Sequence, residues 1–340
     1  MMIIASIRKG AASALGEIGD NRAVEPLIQV LNDDDNSSIR FIAAMVLGEF
    51  GDKRAVEPLI QLLKDSNCDV RLISVNALGK MQDTKIVEPL IWTLKDVDRD
   101  VRNRAANILY QINDPEAVEP LVRALEYEDK DIQSTVTTAL VNLDSLAIES
   151  LIQALKDDAS DVRRGAAEAL GRIKDPRALE PLIPLLNDRE LSVRSSAVVA
   201  LGRIKDMRAI LPLVRAIDSN DKNFRLSIIK ALLMLDFGKA RDTETIEILM
   251  KLIKDEDSFI RKSAAVFLGK IKDTRSVDTL IQALNDKDAD VREEVVNALG
   301  EIKDPRAIEP LTRIIRIDSS ETVRENAVIA QGRIIGRREK

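Results

Sequence analysis

One motif recurs along the whole chain. The stretch 161–191, DVRRGAAEALGRIKDPRALEPLIPLLNDREL, returns in variant form from one end to the other. Aligning the copies on the residue that follows the opening aliphatic position places anchors at Arg8, Arg40, Arg71, Arg102, Gln133, Arg163, Arg194, Arg225, Arg261, Arg292 and Arg324. Six of the ten intervals are 31 residues and the others run from 30 to 36, so register is kept throughout. A fixed period of this length marks a stacked array, in which each unit covers the hydrophobic face of the next. A single core stops growing near ~250–300 residues. In an array each unit touches only its neighbours, so residues 1–340 are expected to form one continuous body.

Each copy reads as two helices. In 162–174 the apolar residues Val162, Ala166, Ala169, Leu170 and Ile173 fall on one helical stripe, and Asp161 stands where an N-cap would. Lys174-Asp175-Pro176 interrupts the pattern; Asp175 can cap the next helix, and Pro176 suits a first helical position because no N–H is needed there. Leu179, Leu182, Ile183, Leu185 and Leu186 then give a second apolar face. Pro181, repeated as Pro26, Pro58, Pro89, Pro120, Pro212 and Pro310, should keep this helix short or kinked.

The two-helix unit with the pattern VRxxAAxALGxIxDxRAvePLixxLxD resembles the HEAT-like repeat of the phycobilisome-lyase type, over essentially the whole chain. The resemblance implies an all-α, right-handed α-α superhelix of the armadillo type, an α-solenoid of about ten stacked helix pairs. It also implies that the helix carrying the anchor lines a concave face, and that anchor Arg and turn Asp (Arg163 with Asp175, Arg261 with Asp273) form a ladder between repeats. Such repeats are mostly binding surfaces, which makes the chain a non-catalytic protein-interaction scaffold. A phycobilin-lyase-like subunit, or binding of a nucleic-acid backbone, is the alternative.

Composition narrows the chemistry. There is no His, and Cys68 is the one Cys, which removes internal disulfides, Cys/His metal sites and His-based acid–base catalysis, along with HEAT-like hydroxylases that use His-Glu iron ligands. No cofactor, catalytic residue or metal site is expected, and nothing points to a small-molecule ligand. A net charge of −6 argues against a general nucleic-acid binder. No stretch approaches the ~18 apolar residues of a membrane span, so the chain reads as cytoplasmic with no membrane partner.

The copies are not identical. The one at 133–162 is altered, with Gln133 for Arg and one residue fewer; the one at 225–260 carries an insertion near 236–241, expected as a longer surface loop; and 324–340 reads as a terminal cap, because Gln331 replaces the Leu found at Leu170, Leu201, Leu268 and Leu299. Partner specificity should lie where copies vary, one, five and nine places past each anchor. That stripe begins with the apolar Phe41, Met45 and Leu72, continues through a neutral run that includes Asn103 and Asn107, and turns basic at Arg164, Arg172, Arg203, Lys230, Lys262 and Lys270. A partner protein or extended peptide of acidic character would suit it. Trp92 stands where other copies carry Gln29, Gln61, Arg123 or Gln153, which places it outward on the convex face as a further candidate contact.

Overall fold

The computed structural model describes residues 2–33, 36–81, 83–219, 221–237 and 242–336; of residues 2–9, 32 and 33 it describes the backbone. All secondary structure among them is helical. The chain divides into two compact units, residues 1–173 and 174–340.

The first unit holds α1 (Met2–Ile18), α2 (Val24–Asp33), α3 (Ser37–Phe50), α4 (Val56–Gln61), α5 (Cys68–Met81), α6 (Val87–Thr93), α7 (Arg99–Gln111), α8 (Val118–Arg123), α9 (Lys130–Asn142), α10 (Ile148–Ala154) and α11 (Ser160–Ile173). The second holds α12 (Leu179–Leu182), α13 (Leu191–Ile204), α14 (Ile210–Ala216), α15 (Lys222–Leu233), α16 (Thr243–Leu252), α17 (Ser258–Ile271), α18 (Val277–Ala283), α19 (Ala289–Ile302), α20 (Ile308–Ile317) and α21 (Glu321–Ile335). Odd-numbered helices carry the anchors; the repeated Pro lies on α2, α4, α6, α8, α12, α14 and α20. Within each unit successive odd helices pack side by side, as the sequence period requires.

Local chemistry sets the boundaries. In most copies the turn Asp caps a three-residue 3-10 turn that leads into the even helix, although Asp144 lies inside its turn and caps nothing among the described residues. Asp175 accepts from the Arg177 amide at 2.8 Å and Pro176 opens the turn. Asp52, Asp206, Asp273 and Asp304 do the same. The even helices are short, but Pro does not set their length: α10 and α18 lack it and have seven residues, whereas α2 and α20 carry it in their first turn and have ten. The shortest, α12, has four residues and passes into a 3-10 turn that contains Pro184. Asp161 lies inside the first turn of α11 rather than at its cap, and its carboxylate faces Arg164.

In each unit the core joins a line of Leu residues on the odd helices to a facing row on the even ones, such as Leu59, Leu90, Leu213 and Leu280. Leu47, Leu78, Leu109 and Leu140 in the first unit, and Leu201, Leu232, Leu268 and Leu299 in the second, are fully buried. Close helix approach needs a residue without a side chain next to them: a Cβ on Gly48 would lie 2.6 Å from the Ala77 Cβ. At the last copy Gln331 is half-buried and turns back on α20, donating to the Ile308 carbonyl at 3.2 Å and to the Thr312 hydroxyl at 2.6 Å. The rest of the expected cap, 337–340, lies outside the described residues.

Two altered copies fold by substitution of contacts. Gln133 is buried and its Nε2 donates to the Leu125 carbonyl at 3.1 Å, replacing an Arg. At the insertion the expectation of a plain surface loop is only partly met. Phe237 is fully buried and stacks on Phe267 with ring centroids 4.4 Å apart. An aromatic of this size is worth burying, so the insertion is pinned at its start; 238–241 lie outside the described residues.

Candidate partner-binding surfaces

The anchors form a ladder, but with other carboxylates than the spacing suggests. Arg40 pairs in a fork with Asp65 (2.7 and 2.9 Å), Arg71 with Asp96 (2.7 and 2.8 Å), Arg261 with Asp286 (2.7 and 2.9 Å) and Arg292 with Asp318 (2.8 and 2.9 Å). Arg225 pairs with Asp255. These acids end the even helices. The turn acids predicted as partners are instead engaged by the Arg two places on, as Asp273 is by Arg275 and Asp304 by Arg306. Helix geometry gives the reason. The anchor sits in the first turn of its helix, and an Asp twelve residues later lies ~18 Å along the axis. The Asp before the next odd helix lies beside the anchor.

Each such Asp joins two anchors. Its carboxylate takes the guanidinium of the preceding copy, while its carbonyl accepts from the anchor that follows, as Asp286 does from Arg292 at 2.8 Å. The pairs are buried, and charge-assisted forks of this kind are geometrically specific. The hydrogen bonds from Arg292, opposed by burial, hold the Asp318 carboxyl below its ordinary value. For Asp65, Asp96 and Asp286 burial pushes upward, and the Arg forks with a backbone amide outweigh it. The ladder ties neighbouring copies together, with the carboxylates of Asp65, Asp96, Asp286 and Asp318 engaged by Arg.

In residues 174–340 the variable stripe is an open surface of mixed character. Arg203 on α13, Lys230 on α15 and Lys270 on α17 form no ion pair among the described residues. Between them stand Val199, Leu233 and Met234, each more than two-fifths exposed. Lys262 is 3.5 Å from Asp290 and is partly neutralised. Beyond α17 the surface turns acidic: Glu301 is shared by Lys272 (2.7 Å) and Arg333 (3.1 Å), and the Lys272 hydrogen bond, opposed by burial, holds its carboxyl below the usual range.

In residues 1–173 the stripe is largely self-satisfied. Arg164 is half-buried and bonds Gln133 Oε1 at 2.5 Å and Asp161 Oδ1 at 3.2 Å. Arg172 donates to the Thr138 hydroxyl at 3.1 Å, Asn142 to the Tyr110 carbonyl at 3.0 Å, and Arg104 to Asn76. Asn103 and Asn107 are exposed on α7; Phe41 and Met45 on α3 and Leu72 on α5 are half-buried. On the even-helix side Trp92 is 53% exposed, and its indole N–H donates to the Tyr127 hydroxyl at 3.2 Å.

The model for HEAT repeats matches residues 5–65, 24–91, 56–141, 87–164, 148–233, 220–285 and 267–332. The chain belongs to the HEAT-repeat family. Among solved structures, the HEAT array is similar to importin β at 16% identity and a TM-score of 0.52, over 96% of this chain and 58% of that one. It is similar to Kap121p at 14% identity and a TM-score of 0.51, over 97% and 43%. An engineered protein aligns at 23% identity and a TM-score of 0.49, over 92% and 98%. The likenesses to importin β and Kap121p show the fold, an α-solenoid. No curated protein matches the chain by sequence.

Among the described residues of the HEAT array no group of three or more His, Cys, Asp or Glu side chains could hold a metal ion. No helix among them is long and apolar enough to cross a membrane. Sequence reasoning missed two features. The ladder acids were visible as the Asp six places before most anchors, with Ser219 ahead of Arg225 as one exception. Tyr127 stands at that same place in its own copy, and only the comparison of copies there would have singled it out.

Proposed function

We propose that this HEAT array is a non-catalytic protein-binding scaffold, and that its odd-helix surface in residues 174–340 takes an extended, acidic segment of a partner protein. The observation that carries the reading is the set Arg203, Lys230 and Lys270, cations on three consecutive odd helices with no ion pair among the described residues. Adjacent packed helices lie ~8–10 Å apart, close to the ~10 Å Debye length at 0.1 M salt, so the fields of these cations overlap along the row. Val199, Leu233 and Met234 supply apolar contact among them. Lys262 contributes less, because Asp290 already faces it. In residues 1–173 the exposed amides of Asn103 and Asn107, with Phe41, Met45 and Leu72, offer hydrogen bonds and apolar contact, while Arg164 and Arg172 mainly tie their own helices together. A reducing compartment such as the cytoplasm suits a chain whose one Cys is exposed and free.

A fluorescein-labelled Glu-rich peptide tests the reading by anisotropy. Binding should weaken steeply between 50 and 300 mM salt (order-of-magnitude choices set by screening) and should be lost in Arg203→Glu with Lys230→Glu. A labelled oligothymidylate of equal charge provides the contrast. Preference for the oligonucleotide would move the reading to a nucleic-acid backbone, and peptide binding indifferent to salt and to both substitutions would end it.

A further inference from the structure

Two departures from the repeat pattern meet. Trp92 occupies a place that is Gln or Arg in most copies, and Tyr127 occupies the place of the ladder acids Asp65, Asp96, Asp157, Asp188, Asp255, Asp286 and Asp318. Both are aromatic only here. They lie 35 residues apart, in successive copies, and the Trp92 Nε1–H donates to the Tyr127 hydroxyl at 3.2 Å. The pairing has a structural cost. Arg102, the anchor that would reach an Asp at 127, bonds only the Asp96 and Val97 carbonyls among the described residues, at 2.7 and 3.0 Å. The ladder step is absent here, as it is at Ser219 ahead of Arg225, but here the vacated place holds a phenol that accepts from an indole whose ring stays half in solvent.

The surroundings define what this surface would accept. A groove of about 590 Å³ on the even-helix side is walled by Ile60, Leu63, Pro89, Trp92, Thr93 and Pro120, within the roughly 300–1,000 Å³ usual for ligand clefts. Trp92 has used its one donor and presents an apolar ring. Tyr127 accepts that bond and keeps its own O–H to donate. Lys95 lies 5.1 Å from the Tyr127 ring centroid. Lys64, Lys85 and Lys95 border the groove without an ion pair among the described residues. Of the acids there, Asp96 is held by Arg71 and Glu88 faces Arg123 at 3.4 Å, which leaves Glu57 alone against three lysines. The groove has spare donors and positive charge beside an apolar floor.

We propose that Trp92 and Tyr127 anchor a docking site on the even-helix surface of residues 1–173 for a peptide segment that sets carboxylates beside bulky aliphatic side chains. The aliphatic groups pack on the Trp92 ring and the Pro walls. The carboxylates bond Lys95 and the Tyr127 hydroxyl, with Lys64 and Lys85 extending the attraction along the segment. The site rests on the binding-scaffold reading in general but uses none of the residues tested for the odd-helix surface, so each can fail alone.

The chain has a single Trp, so its emission reports this site directly. The probe is the blocked peptide Asp-Asp-Leu-Leu-Asp-Asp, which has no aromatic group of its own; a fluorescein-labelled form is followed by anisotropy. Saturable change of Trp emission is expected, with affinity at least about tenfold lower for the Lys-for-Asp version and in Trp92→Gln, a residue the fold already accepts at 29, 61, 153 and 282. Tyr127→Asp separates function from packing: it offers Arg102 its missing carboxylate, so it should keep or raise the melting temperature while weakening the peptide about tenfold. Arg203→Glu with Lys230→Glu should leave this binding unchanged. The proposal is overturned if the acidic peptide leaves Trp emission unchanged, if the charge-reversed peptide binds equally, or if Trp92→Gln and Tyr127→Asp both bind as the parent does.

Discussion

Arg261 and Asp286, 25 residues apart, close a fork of 2.7 and 2.9 Å, while the third guanidinium nitrogen of Arg261 holds the Asp255 carbonyl at 2.9 Å. One side chain thus fixes its own loop and the start of the next odd helix. Asp255 is itself paired with Arg225, and the Asp286 carbonyl accepts from Arg292, whose fork reaches Asp318. The linkage runs from α15 to α21 and ties neighbouring copies at their N-terminal ends, where the Leu core does not reach.

Removing one partner of such a pair strands a buried charge. Asp286→Ala should therefore cost about 3–5 kcal/mol, read as a lower midpoint in urea. Arg306→Ala removes an exposed partner of Asp304 and should shift the midpoint far less. Equal shifts would show that the ladder adds nothing beyond a surface pair.

The ladder also makes stability depend on acid. The carboxyls of Asp65, Asp96, Asp286 and Asp318 are all held below the ordinary 3.8. Their contribution is complete above that value and is lost as pH falls through the lower folded-state values. Melting temperature should stay level down to about pH 5 and drop below about pH 4. Asp318→Asn should start lower and fall less steeply; a curve parallel to the parent's would contradict the assignment.

Leu268→Ala should cost about 2–5 kcal/mol, the range for a fully buried Leu. Gln331→Ala removes two hydrogen bonds at a half-buried place and should cost about 1 kcal/mol. Chemical denaturation of both variants checks the difference between an inner copy and the last one.

Two glycines at the same place in their copies should respond with opposite sign. A Cβ at Gly269 would come within 2.8 Å of the Ala298 backbone, whereas Gly332 has nothing within 4 Å. Gly269→Ala should destabilise by roughly 1–3 kcal/mol through overpacking, and Gly332→Ala should stabilise by up to about 1 kcal/mol through helix propensity. Paired thermal melts decide it.

The 31-residue period, the Leu stripe and the capping Asp follow from local spacing, so the helix pairs, their breaks and their stacking order were legible in the sequence alone. The free cations Arg203, Lys230 and Lys270 were legible as members of a stripe. What the tertiary structure decided was partnership. Residues twelve apart on one helix lie far from each other, and residues 25 apart meet, so Arg261 takes Asp286 and not Asp273. The same holds for Arg164, a free cation by its stripe position but half-buried against Gln133 one copy earlier, and for Trp92, whose bond to Tyr127 spans 35 residues. Spacing along a helix fixes which face a side chain occupies; which atoms it meets depends on the neighbouring copy, and the period is blind to the departures from itself.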